Sequence, residues 1–148
     1  MNELNGYDIE DLSVGMTASF SKTITEADII LFAGASGDNN AIHINEDFAR
    51  KTPFKGRIAH GMLTASTISA AIANRLPGPG TIYMSQNMRF VGPVRPGDTV
   101  EAVVTVKDVN TEKSRALLST VCRVGGAVVV DGEALVKTTS RAGREASA

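Results

Sequence analysis

Gly61-Met62-Leu63-Thr64-Ala65-Ser66-Thr67-Ile68-Ser69-Ala70-Ala71-Ile72-Ala73-Asn74-Arg75 is the run that decides how this chain folds. Its apolar residues are interrupted only by small hydroxyl side chains, a glycine and Asn74, and no charge appears before Arg75. A helix without a clearly polar face is a buried helix, so a long central core helix is predicted over 61–75. Pro77-Gly78-Pro79-Gly80 follows at once and ends it, because proline removes a helix donor and glycine permits positive φ.

Beyond that break the period changes from helical to alternating. Strands are predicted over 81–91, 99–109, 115–124 and 127–137. Ile82, Met84, Met88 and Phe90 are expected to share one face of the first, and Val100, Ala102, Val104 and Val106 one face of the second. Pro93 and Arg95-Pro96-Gly97-Asp98 separate these two strands, residues 110–114 form the next turn, and Gly125-Gly126 suits a tight hairpin. The last three strands read as an antiparallel meander. A buried helix followed by such a sheet predicts an α+β domain in which the sheet wraps the helix. Its open edges and second face argue for a homodimer or higher homo-oligomer.

Upstream, residues 1–13 are polar with scattered apolar anchors, and a strand is expected from Gly15 through Phe20 to Ile24. Thr25-Glu26-Ala27-Asp28 is a capping box with Asp in place of Glu, and the helix it starts is expected to run to about Ala33 and end at Gly34. Ser36-Gly37-Asp38-Asn39-Asn40 favours a loop, which puts Asp38 and His43 on a loop. Asn45 caps a further turn over 46–51, with Phe48 and Ala49 facing inward, before Pro53. Residues 1–137 are taken as one domain and 138–148, small and polar, as a tail expected to fray.

With 148 residues, 43% hydrophobic, 21% charged and a net charge of −1, the chain fits one globular domain without a basic field for nucleic acid or anionic membrane. Cys122 is the only cysteine, expected to be a buried structural thiol, and fits a cytoplasmic location. The stretch Met1-Asn2-Glu3-Leu4-Asn5 lacks a secretion-signal pattern, and no apolar run approaches the roughly 20 residues that span a bilayer.

The two histidines, His43 and His60, stand at the two places that look chemical. Asp38 and His43 flank a compact polar segment, and His60-Gly61 opens the buried helix. The free amides and dipole of that helix end make the Gly61 N–H a candidate oxyanion donor. A metal held by Asp38, His43 and His60 is not expected, because their spacing matches no ligand pattern and no cysteine supports it.

Ser36-Gly37-Asp38-Asn39-Asn40-Ala41-Ile42-His43, with Ala49 six residues on, resembles the hydratase 2 motif of the MaoC-like (R)-specific enoyl-CoA hydratases. Arg57-Ile58-Ala59-His60-Gly61-Met62-Leu63 and Val94-Arg95-Pro96-Gly97-Asp98 carry the same resemblance, so it spans about 15–137. It implies the hot-dog fold, a sheet wrapped around a central helix, with subunits paired through their sheets. It also implies (R)-specific hydration of short- or medium-chain trans-2-enoyl-CoA to (R)-3-hydroxyacyl-CoA, as in polyester (polyhydroxyalkanoate) synthesis or fatty acid metabolism. No cofactor is needed beyond the coenzyme A of the substrate.

In that chemistry Asp38 and His43 activate one water for syn addition, Gly61 holds the enolate oxygen, and Asn40, Ser69 and His60 line the substrate. Lys55, Arg57, Arg89 and Arg95 are available for the coenzyme A phosphates. The motif usually has proline where this chain has Ala41, which predicts a less rigid loop. Three alternatives stand beside hydration: a hot-dog acyl thioesterase, an acyl-carrier-protein dehydratase and a non-catalytic acyl-CoA-binding module. Related thioesterases place a carboxylate on the central helix, and 61–75 contains none.

Overall fold

A computed structural model describes residues 1–148. Five strands form one antiparallel sheet: β1 (Thr17–Thr23), β2 (Ile82–Phe90), β3 (Thr99–Asn110), β4 (Arg115–Val124) and β5 (Ala127–Lys137), in the spatial order β1-β3-β4-β5-β2. Three helices precede the central one: α1 (Glu26–Ser36), α2 (Ala41–Ile44) and α3 (Glu46–Ala49). The central helix, α4 (Gly61–Asn74), packs against β1, β3 and β4 on one face of the sheet, as its uninterrupted small and apolar composition requires. This is the hot-dog arrangement expected from the sequence.

The core forms where the two periods meet. Val100, Ala102, Val104 and Val106 alternate inward along β3, each at most 1% exposed, and face Ile68, Ala71 and Ile72 of α4. Cys122 of β4 is fully buried, as expected, and burial raises its thiol pKa. Along β2 the alternation fails: a bulge between Tyr83 and Ser85 resets the register and takes Ile82 and Met84 off the face of Met88, while Phe90 shares that face but is exposed on the edge strand, so Met88 alone of the expected four packs on the core.

Three local expectations need correction. The helix begun by the Thr25 box, whose two reciprocal bonds both form, does not stop at Gly34. It continues to Ser36 and ends on Gly37, whose φ of 80° supplies the left-handed C-cap. Phe48 is exposed while Ala49 is buried, because the turn after Asn45 is short and turns only one of them inward.

The third correction concerns residues 138–148, expected as a structureless tail, which carry a short helix, α5 (Arg141–Ser147). Its anchor is polar. Arg144 donates to both carboxylate oxygens of the fully buried Asp8, at 2.6 and 2.8 Å, and Thr139 Oγ1 donates to the same group at 2.7 Å. The Arg144 bond, with Thr139, holds the Asp8 carboxyl well below the usual carboxylate range. Glu10 accepts from Ser140 Oγ and from the Arg141 and Ala142 amides, which caps α5. These bonds, led by the one from Ser140, lower its pKa to about 2. Such a tie joins residues 130 to 136 positions apart, and composition offers no signal of it. No helix of the chain is long and apolar enough to cross a membrane.

Candidate active site

Asp38 sits one residue beyond the α1 cap. Its Oδ1 accepts from the Asn40 amide at 3.2 Å, and its own amide donates to Ser36 Oγ at 3.1 Å, so the acid is set by two consecutive side-chain turns. His43 is not on a loop, as expected from the polar cluster, but inside α2, which Asn40 starts by accepting from the Ile42 amide at 3.2 Å. Asn40 is therefore a helix cap, exposed and outside the pocket. Ala41 is the first residue of α2, and Asn40 has φ −55° and ψ 130°.

That backbone explains how the site manages without the motif's proline. Asn40 already has the extended ψ that a following proline would impose, and Ala41 holds the first helical position, where the N–H has no intrahelical partner. The caps on either side of Ala41 supply order that the sequence led us to expect would be reduced. Ala41→Pro should therefore fit without strain and stabilise by about 0.4–1 kcal/mol through the unfolded state. Thermal melting should rise by about 1–4 °C, and a lower melting temperature would show that the loop departs from this geometry.

His43 is 8% exposed, and its Nδ1 donates to the Ile58 carbonyl at 2.7 Å. A carbonyl only accepts, so Nδ1 carries the proton and Nε2 is left to exchange one. His60 is 1% exposed; its Nε2 donates to the Asp38 carbonyl at 2.9 Å, and its ring stacks on that of His43 with centroids 3.9 Å apart. His60 precedes α4 without capping it through its side chain. It lines the cavity, as expected, and also ties the Asp38 loop to the helix start.

The Asp38 carboxylate and one nitrogen of each histidine lie within 4.8 Å of one another. A metal must lie near the plane of each imidazole it binds. The two rings are stacked with planes only 29° from parallel, so few points near both nitrogens lie in both planes, and the pair is poorly shaped to share an ion.

These groups face a cavity of about 430 Å³ that also receives Gly61, Thr64, Phe90 and Val130. As the first residue of α4, Gly61 has an amide with no intrahelical partner. A Cβ there would lie 2.7 Å from the Phe90 ring, so glycine is what lets β2 close over the helix end. Sequence reasoning missed Ile58, Thr64 and Phe90: a carbonyl contact and two wall positions set by tertiary packing leave no local motif.

Other expected residues lie elsewhere. Ser69 is exposed, two turns along α4 from Gly61 and outside the cavity. Arg57 is taken up by Glu26 and Glu46, its Nε donating to Glu46 at 3.0 Å, and Glu26 leads in raising its pKa. Arg95 Nη1 donates to the Gly56 carbonyl at 3.1 Å, and its Nη2 bonds the Phe54 carbonyl. Arg89 is 80% exposed and only loosely paired with Asp131, at 3.9 Å.

A sheet-wrapped helix whose free amide faces an acid and a tautomer-fixed histidine defines a class of fold and site, and comparison with known proteins gives the family. The model of the MaoC like domain matches residues 12–124. The chain is 54% identical over 132 residues to the (R)-specific enoyl-CoA hydratase of Rhodospirillum rubrum, covering 89% of this chain and 92% of that protein. It is 50% identical over 139 residues to the 3-hydroxybutyryl-CoA dehydratase of Methylorubrum extorquens, covering 94% and 88%. Among solved structures, the (R)-hydratase from A. caviae involved in PHA biosynthesis superimposes with a TM-score of 0.84 at 42% identity, over 87% of this chain and 98% of that one. The chain belongs to the MaoC-like family.

Proposed function

We propose that the protein is an (R)-specific enoyl-CoA hydratase, a hydro-lyase that adds water to short- or medium-chain trans-2-enoyl-CoA. The observation that carries this is the convergence of Asp38, His43 and the Gly61 amide on one cavity. The Asp38 carboxylate and His43 Nε2 accept hydrogen bonds from one water. Its oxygen bonds to C3 of the substrate, the π pair moves onto C2, and the proton released from the water is delivered to C2. Both additions occur on one face. While the thioester oxygen carries enolate charge, the Gly61 N–H and the α4 dipole stabilise it. The names of the relatives at 54% and 50% identity support the same chemistry.

Further parts of the proposal rest on narrower support. A homodimer is favoured by the β2 edge, where Ile82, Tyr83, Met84 and Phe90 are exposed beside unpaired strand groups. No cofactor is proposed beyond the substrate's coenzyme A, whose phosphates would meet Lys55 and Arg89, since Arg57 and Arg95 are committed within the protein. Action in the cytoplasm fits the free buried Cys122, and supply of (R)-3-hydroxyacyl-CoA for polyester synthesis fits the A. caviae likeness.

The test is a hydration assay with crotonyl-CoA, following loss of the conjugated-thioester absorbance and resolving the product's stereochemistry. The expected product is (R)-3-hydroxybutyryl-CoA. An (S) product or no hydration overturns the proposal. Release of free thiol would indicate a thioesterase, faster turnover of carrier-protein thioesters a dehydratase, and tight binding without turnover a binding module.

A further inference from the structure

The walls of the cavity grade from open to closed. Met62 is 55% exposed and Phe90 and Val91 are 52% exposed, which marks the mouth, whereas His60, Thr64 and Val130 are each 1% exposed and mark the floor. That floor holds the two buried side-chain atoms that find no hydrogen-bonding partner in the protein, His60 Nδ1 and Thr64 Oγ1. His60 Nδ1 is an acceptor, because Nε2 carries the proton donated to the Asp38 carbonyl. Thr64 departs from its neighbours on α4: the Ser66 and Thr67 hydroxyls both bond carbonyls three residues back, and Thr64 Oγ1 does not. The backbone of Thr64 bonds the His60 carbonyl at 3.1 Å, so the two residues stand one helical turn apart. His60 is the N-cap of α4 and Thr64 lies in its first turn, so both side chains reach the same part of the floor, where one water can join an acceptor to a hydroxyl.

We propose that Thr64 Oγ1 and His60 Nδ1 hold a water on the cavity floor, and that this water makes Thr64 a determinant of acyl-chain length, favouring four-carbon thioesters. The proposal rests on the enoyl-CoA reading above. A four-carbon chain leaves the water in place. A longer one expels it and leaves an imidazole nitrogen and a hydroxyl against hydrocarbon, where neither can be satisfied.

The experiment compares the wild-type enzyme with Thr64→Val, which removes the hydroxyl at nearly constant volume, and Thr64→Ser, which keeps it. Two ratios are read: kcat/KM for trans-2-hexenoyl-CoA over crotonyl-CoA, and affinity for hexanoyl-CoA over butyryl-CoA by calorimetry. Losing one unsatisfied group should raise both ratios in Thr64→Val by about tenfold. Thr64→Ser should keep both within about twofold of wild type. Unchanged ratios in Thr64→Val, or an equal rise in Thr64→Ser, would overturn the proposal. Should Thr64→Val not fold, Thr64→Ala, which also lacks the hydroxyl, must show the same direction. The binding ratio needs no turnover, so it decides the matter even if the wild-type enzyme hydrates neither substrate, an outcome that would count against the hydratase reading alone.

Discussion

Asp38→Asn should lower kcat on crotonyl-CoA by about 10²–10⁴, the usual contribution of one positioned acid or base, while leaving the fold intact. The substitution separates chemistry from structure because of what Oδ1 does. It accepts from the Asn40 amide at 3.2 Å, and an asparagine carbonyl can make the same bond. The turn that presents the group therefore survives while the carboxylate is lost. Circular dichroism and melting should match wild type to within a few degrees. His43→Asn makes the companion test: its amide can still donate toward the Ile58 carbonyl, but nothing replaces Nε2. With both groups acting on one water, as proposed, the double variant should fall far less than the product of the two single losses. A near-normal rate in Asp38→Asn would remove the carboxylate from the mechanism.

Gly61→Ala keeps the backbone N–H but adds a methyl where the thioester must come close to it, and should lower kcat/KM by about 10²-fold, the usual cost of a displacement of about 1 Å at a reacting centre. The new methyl would lie 2.7 Å from the Phe90 ring. Phe90 is 52% exposed on the edge strand, so its ring can swing aside without disturbing the core. The cost should therefore appear in catalysis, where wall and amide no longer fit the thioester, and hardly in the melting temperature. Wild-type kcat/KM in this variant would show that the substrate does not need close approach to the backbone at residue 61.

What the sequence revealed followed from how local the cause was. The alternation of Val100 to Val106 faced the core as read, because β3 has a paired strand on each side and no bulge interrupts that run. The Thr25 box formed because all its partners lie within three residues. Asp38, His43 and Gly61 were legible as candidates through residue type and motif, and the structure brings them to one cavity. His43 was misplaced on a loop because turn-forming Asn40 also caps helices, and only the following backbone decides which it does. Ser69 was expected at the substrate from the resemblance alone, and the phase of α4 turns it outward. The stack on His60, the Ile58 carbonyl and the unpartnered Thr64 hydroxyl depend on segments meeting across the fold, and no spacing encodes them.

The bond from His60 to the Asp38 carbonyl has one more consequence. His60 and Gly61 are adjacent in the chain, so the group that fastens the acid's backbone and the amide offered to the enolate belong to the same buried helix start. In the proposed reaction, water activation and charge stabilisation thus share one frame of reference, and their separation is fixed when α4 packs. The entropy of aligning them is spent once, during folding, and no part of it recurs at each turnover.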